Sequence, residues 1–125
     1  MLKKIMQLNA LSCALFGGLF IVNGAGVAGF LGDPPVWLLQ VLGALLLANA
    51  AHLILEARKP VPPRRAVLYF VAGDVAWVLA TIVLLAGGIY VTTLKGAVAA
   101  SGVAVMVGAF ALGQVIFSAP AAARP

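Results

Sequence analysis

The sequence predicts an all-α protein, an integral membrane four-helix bundle that runs up-down-up-down with both termini in the cytoplasm. The first observation is composition: 64% of the 125 residues are hydrophobic, 9% are charged, and the mean hydropathy is +1.16. Soluble domains carry about 25% charged residues, so this much apolar surface requires lipid. The second is four apolar runs of the length that crosses a bilayer, about 20 residues. The third is that basic residues fall in the flanks and turns between these runs.

Proline, glycine and aspartate mark the ends of the expected spans. The first span ends in the glycine-rich stretch NGAGVAGFLG, and GDPPVW then forms a turn in which Asp33 is the expected N-cap of the second helix. The stretch RKPVPPRR contains three prolines, which end that helix. The four spans are expected in a single transmembrane domain, residues 1–125, at about residues 5–27, 34–57, 66–87 and 94–118.

The N-terminal segment also has the order of a signal peptide, because Lys3 and Lys4 precede an apolar stretch. Its polar residues instead favour a retained helix that packs against others. These residues are Gln7, Asn9, Ser12 and Asn23.

The basic residues predict the orientation in the membrane. Two lie in the N-terminal flank, four around the loop after span two and one in the C-terminal tail, against only Lys95 between spans three and four. Cytoplasmic loops are enriched in Lys and Arg, so both termini are expected on the cytoplasmic side of the membrane. No aromatic residues interleave with the basic ones, which argues against nucleic acid as a partner. The eight are Lys3, Lys4, Arg58, Lys59, Arg64, Arg65, Lys95 and Arg124.

A carboxylate, Asp74, lies within the apolar run YFVAGDVAWVLATIVLL of span three. It is nine residues from Arg65, and Asn49 of span two is nine residues from Arg58. At about 1.5 Å per helical residue, both lie roughly 13 Å from the same loop. Charged side chains in membranes face the bundle interior, so Asp74 is expected to point toward Asn49 and His52. The expected polar intramembrane layer comprises Asp74, Asn49, His52, Glu56, Asn9, Gln114 and Trp77.

Three roles for this layer stay open: fixing which helix faces which, relaying protons, or holding a ligand or cation. Histidine changes charge near neutral pH, which suits a relay. Glu56 is expected to pair with Arg58 or Lys59 at the interface, and Trp77 is expected to fill volume or donate its indole N–H to Asp74.

Small residues recur every four positions and predict close helix packing. In span four they form a helix-packing groove, which serves either the bundle itself or a partner helix or second copy. The groove comprises Gly96, Ala100, Ala104 and Gly108. Shorter runs of the same spacing occur at Ala10, Ala14 and Gly18 and at Ala44, Ala48 and Ala51.

No catalytic, cofactor or metal site is expected. The single cysteine, Cys13, excludes an intramolecular disulfide and a cysteine-rich metal site, and in a span it acts as a small apolar residue. His52 is the single histidine, so haem held by two histidines would require a dimer. NGAGVAG follows a membrane span rather than a strand, so it is no dinucleotide fingerprint.

Several segments resemble a poorly characterised group of small bacterial four-helix inner-membrane proteins. They are LNALSCALFGGLFI, LGDPPVWLLQVLGALLLANAAHLILEARKP and GDVAWVLATIVLL. In that group an acidic residue followed by Trp in span three matches Asp74 and Trp77. The resemblance implies an integral membrane protein without an assigned reaction.

The sequence thus favours a non-enzymatic membrane protein, an accessory or assembly subunit of a larger complex or a self-associating bundle. One alternative is a small transporter or proton-linked carrier that uses Asp74 and His52. The other is a bundle that binds an apolar ligand or pigment.

Overall fold

The computed structural model describes residues 1–123, with side-chain surroundings as far as Ser118, and is all-helical apart from its turns. Four helices are long and apolar enough to cross a membrane, as expected, and they indicate a multi-pass membrane protein. In an 18-residue apolar stretch of each of these helices, no more than 33% of the residues are buried, so most of their apolar surface faces outward. Within the described residues the helices are α1 (Leu2–Val22), α2 (Gly24–Leu31), α3 (Val36–Ala57), α4 (Arg64–Gly87) and α5 (Leu94–Ala123).

The first expected span, 5–27, is divided in two by Asn23. Asn23 has φ −131° and ψ 44°, which is outside the helical region, and α2 begins at the next residue. Asparagine competes for helical hydrogen bonds with its own side chain, and the glycines that follow it weaken the helix further. The backbone stays satisfied across the break, because Asn23 N–H donates to the Leu19 carbonyl and Val27 N–H donates to the Asn23 carbonyl.

Asp33 is not the N-cap of the second long helix, contrary to expectation. Pro35 takes that position with an extended backbone, and α3 starts at Val36 with no side-chain cap. The Asp33 backbone N–H donates instead to the Tyr90 carbonyl at 3.1 Å. The reason lies in tertiary structure: this segment pairs with the chain between α4 and α5.

The long helices form two pairs. In the first pair α1 packs along α3, and in the second α4 packs along α5; the main contact between the pairs runs from α1 to α5. The first pair crosses closely at Gly17 and Gly43. A Cβ added at Gly17 would lie 2.8 Å from the Gly43 carbonyl oxygen, and one at Gly43 would lie 2.7 Å from that of Gly17. Glycine at both positions therefore lets the two backbones touch, which is a main route to helix association in lipid.

One end of the molecule contains the start of α1, the loop from α3 to α4 and the Gln114–Ser118 part of α5. We call it the basic end. It carries six of the eight basic residues, while Arg124 lies outside the described residues. Both pairs are densely packed there, because side chains from α1, α3 and α4 form one buried cluster. Its members are Leu2, Met6, Ala10, Cys13, Ala50, Leu53, Ala57, Val67 and Phe70.

At the other end the turn after α2 is joined to the turn before α5, and we call residues 30–33 and 90–96 the clasp. Thr92 and Thr93 donate their backbone N–H groups to the Leu31 carbonyl, and Gly32 forms an isolated antiparallel bridge with Val91. Gly32 has φ 147°, and a Cβ there would collide with Thr92. Only glycine therefore suits this position, on both conformational and steric grounds.

The Thr93 hydroxyl joins three parts of the clasp. It donates to the Phe30 carbonyl at 2.6 Å, and it accepts the Gly96 backbone N–H at 2.9 Å as the N-terminal cap of α5. One side chain thus satisfies backbone groups of two helices.

We predict that Gly43→Ala lowers stability by about 1–3 kcal/mol, because the added methyl group overpacks the α1–α3 crossing. The thermal unfolding midpoint in mild detergent measures this. Gly102→Ala is the control, since a Cβ there meets nothing within 4 Å. Equal midpoints for the two variants would contradict the close crossing.

We predict that Thr93→Val lowers stability by about 1 kcal/mol, because it removes the hydroxyl's bond to the Phe30 carbonyl and the cap on the Gly96 N–H. Thr92→Val is the matched control: the Thr92 side chain is exposed, and its backbone N–H bond to Leu31 is retained. Guanidinium or thermal unfolding of both variants in detergent gives the comparison. A Thr92 effect as large as that of Thr93 would show that the hydroxyl has no special role.

Candidate functional site

The Asp74 carboxylate lies at the junction of three helices. Its residue is only 6% exposed, and amides from two other helices donate to it. Asn9 Nδ2 of α1 is 3.0 Å from Asp74 Oδ2, and Gln114 Nε2 of α5 is 2.9 Å from the same oxygen. Asp74 therefore ties α4 to both α1 and α5, and its other oxygen, Oδ1, remains for another partner.

The expected partners of Asp74, Asn49 and His52, are not those that the structure shows. Asn49 reaches Asp74 only through a relay of polar groups: Asn49 Nδ2 donates to Cys13 Sγ at 3.5 Å, and Cys13 Sγ donates to Asn9 Oδ1 at 3.6 Å. Contacts to sulfur are weak hydrogen bonds. The depth estimate placed Asn49 and Asp74 in one layer, but the distance along a helix does not say which way a side chain points.

His52 lies in the basic end, apart from Asp74. Its ring centroid is 4.8 Å from that of Phe70 and 5.5 Å from that of Tyr69, and 44% of its side chain is exposed. His52 Nε2 is 3.7 Å from Glu56 Oε1, and Lys59 Nζ is 2.8 Å from Glu56 Oε2. The Lys59 contact has the length of an ion pair, although its angles are not those of a hydrogen bond. The expected pairing of Glu56 with Lys59 is thus present, whereas a direct relay from His52 to Asp74 is not.

Cys13 and Gln114 have larger parts in the site than the sequence suggested. Cys13 was expected to act as a small apolar residue, yet it links two amides. Its position four residues after Asn9 puts both on one face of α1, and that spacing is the signal that could have found it. Gln114 is fully buried, and its Oε1 has no hydrogen-bond partner among the described residues.

Asp74 has no compensating positive charge among the residues that the structure describes. The ion pair there joins Lys59 to Glu56, and His52 also lies beside Glu56. Two neutral amides stabilise a carboxylate by hydrogen bonding but do not cancel its charge, and an isolated buried charge is costly.

A small cavity of about 70 Å³ adjoins Asp74 at the centre of the bundle. A site needs only ~10–15 Å³ of such volume per water molecule, so a small polar group fits. All four long helices contribute to its wall. The polar lining residues are Asn9, Ser12, Cys13, Asn49 and Asp74.

A larger cavity of about 560 Å³ lies between the two helix pairs in the clasp half of the molecule. Its wall is nearly all apolar, with Asn23 and Thr81 among the few polar residues. Pockets that bind small molecules have volumes of about 300–1,000 Å³ and walls of this kind. Its aromatic lining residues are Phe16, Phe20, Phe30, Trp77 and Tyr90.

Phe16, Trp77 and Val103 line both cavities, so the two lie next to each other. Trp77 also packs against the buried cluster of Phe20, Ala28 and Leu39, which supports the volume-filling interpretation of this residue. The large cavity was not predicted from the sequence. Its lining comes from five helices, and no local pattern in the sequence marks it.

The expected groove of span four is largely occupied within the chain. A Cβ at Gly96 would lie 2.8 Å from the Leu31 Cα of α2, and one at Gly108 would lie 3.8 Å from Val78 of α4. Ala100 lines the large cavity, and Ala104 is half-buried. These contacts favour packing within the bundle as the use of the groove.

Comparison with protein-family models, with characterised proteins and with solved structures finds no match to this chain. The resemblance to small bacterial inner-membrane proteins therefore stays a prediction.

We predict that Asn9→Ala lowers stability by about 1–3 kcal/mol, because it removes a hydrogen bond to a buried carboxylate. Asn49→Ala makes the same change in an amide that bonds only the Cys13 sulfur, and it should have a smaller effect. In a double-mutant cycle, Asn9→Ala and Asp74→Ala should be non-additive, whereas Asn49→Ala and Asp74→Ala should be closer to additive. Additive effects in the first pair would exclude the Asn9–Asp74 interaction.

Proposed function

We propose that the protein is a non-enzymatic, multi-pass membrane protein that binds a small apolar or amphipathic molecule between its two helix pairs. The observation that carries this proposal is the cavity of about 560 Å³ with its nearly all-apolar wall. A pocket of this size and lining matches a small-molecule site better than a packing defect, because interior voids larger than a water molecule are few.

The other two functions considered have less support. A relay of protons from His52 to Asp74 lacks contact between these residues, since His52 packs on Tyr69 and Phe70. The groove expected to receive a partner helix is used within the chain instead, since Gly96 and Gly108 pack against Leu31 and Val78. The subunit interpretation and self-association stay predictions.

The orientation that fits this proposal is up-down-up-down, with both termini and the loop between α3 and α4 in the cytoplasm of the bacterial cell. Its support is the charge distribution, because six described basic residues lie in the basic end and Lys95 lies at the clasp. The large cavity then occupies the outer half of the inner membrane, and Asp74 lies deeper.

The binding proposal predicts that 4-phenylbutanol, a neutral apolar probe, binds saturably to the protein in nanodiscs. The Trp37→Phe variant leaves Trp77 as the single tryptophan, so its emission reports on the cavity wall. Ala80→Phe should weaken binding about tenfold or more, because the ring occupies the cavity, and a tenfold change equals ~1.4 kcal/mol.

Ala72→Phe is the matched control for Ala80→Phe. Both alanines are exposed residues of α4, and only Ala80 lines the cavity. A response that does not saturate, or that Ala72→Phe and Ala80→Phe alter equally, would show partition into lipid and overturn the proposal.

A further inference from the structure

We infer that the molecule bound between the helix pairs is a lipophilic amine, whose apolar body fills the large cavity and whose ammonium group lies in the small cavity against Asp74. This inference rests on the proposed function and names the chemical class of its ligand. It is carried by two observations together: the uncompensated carboxylate and the adjacency of the two cavities.

The charge of the site selects a cation. Polar groups reach Asp74 from α1 and α5 as Asn9 and Gln114, and both are neutral amides. Among the residues that line the small cavity, α3 contributes the neutral amide Asn49, and α4 contributes Asp74 itself. Since no described basic side chain pairs with Asp74, a positively charged ligand group would supply the missing counter-charge. Charges within membranes characteristically pair in this way.

The volume and the hydrogen-bond acceptors of the small cavity suit an ammonium group. Its volume of about 70 Å³ admits a compact head but no bulky one. A primary ammonium donates three hydrogen bonds, and the residues that line the small cavity include Asp74 and Ser12, whose side chains accept hydrogen bonds. The wall of this cavity also contains the Trp77 side chain, and an indole face attracts a cation by its quadrupole.

The large cavity accommodates the apolar body of the ligand, and its position beside the small cavity sets the orientation of the ligand. Phe16, Trp77 and Val103 belong to both walls, so a molecule that passes this layer has its head beside Asp74 and its body among apolar side chains. Lys95 Nζ lies 5.4 Å from the centre of the Phe30 ring at the clasp side of the large cavity. The like charge there disfavours an ammonium at the clasp and favours it at Asp74.

The experiment compares 4-phenylbutylamine with 4-phenylbutanol, which has the same body and a neutral head. Trp77 emission in the Trp37→Phe background, with the protein in nanodiscs of neutral lipid, reports binding of each probe. The amine should bind about tenfold or more tightly than the alcohol, which is a difference of ~1.4 kcal/mol. Asp74→Asn keeps the shape and should bring the amine close to the affinity of the alcohol, while binding of the alcohol, which carries no charge, should change much less.

The outcomes separate this inference from the function on which it rests. If both probes bind equally and Asp74→Asn has no effect, the lipophilic-amine assignment is wrong and apolar binding stands. If neither probe binds, both proposals fail. Binding is also measured in sodium chloride and in an equal concentration of choline chloride. If the amine binds no more tightly than the alcohol, and Na⁺ but not choline competes with it, the small cavity is a site for an inorganic cation. That result would overturn the assignment of a lipophilic amine.

A folding control accompanies the Asp74→Asn variant. Its elution in detergent and its thermal midpoint should match those of the parent, because an asparagine Oδ1 accepts hydrogen bonds in the place of Asp74 Oδ2. Should Asp74→Asn fail to fold, Ser12→Ala supplies the test, since it removes an acceptor from the small cavity and leaves the Asn9 and Gln114 bonds in place. It should weaken the amine more than the alcohol, and an equal effect on both would overturn the inference.

Discussion

The hydrogen bonding of the Asp74 carboxylate is the constraint on which the arrangement of the helices depends. Lipid is as apolar as the helices themselves, so their association relies on close packing and polar contacts. Asn9 of α1 and Gln114 of α5 both donate to Asp74 Oδ2, which joins the second helix pair to the first inside the apolar interior. Both bonds are made to one carboxylate oxygen, and Asp74 also lines the small cavity.

The large cavity follows from how the two pairs are held. The buried cluster of the basic end joins α1, α3 and α4, and the clasp joins the turns at the opposite end. Within the first pair, Gly17 and Gly43 bring α1 and α3 into close contact. These two helices therefore cannot move apart to fill the large cavity. Because the two pairs are joined at both ends and along α1 and α5, a space lined by apolar side chains remains between them. An apolar space above a carboxylate is the chemical basis of the proposed site.

Much of the architecture was predictable because it depends on local chemistry. Hydropathy and length predicted four candidate spans, and prolines and glycines placed their ends within a few residues. The division of the first span at Asn23 was not predicted, because hydropathy is continuous across this residue and does not indicate a break in the helix. The N-cap role of Asp33 was wrong, because this residue's backbone bonds to Tyr90, far along the chain.

By itself the sequence determined that the chain is helical, that four of its helices are long and apolar enough to cross a membrane, and that a carboxylate lies within the third of them. These depend on composition and on the fixed rise of a helix. Only the tertiary structure decided that Asn9 and Gln114, rather than Asn49 and His52, hold Asp74, and that two cavities meet at Trp77. The reason is that rotation of each helix about its axis is set by packing against its neighbours, and no single helix contains that information.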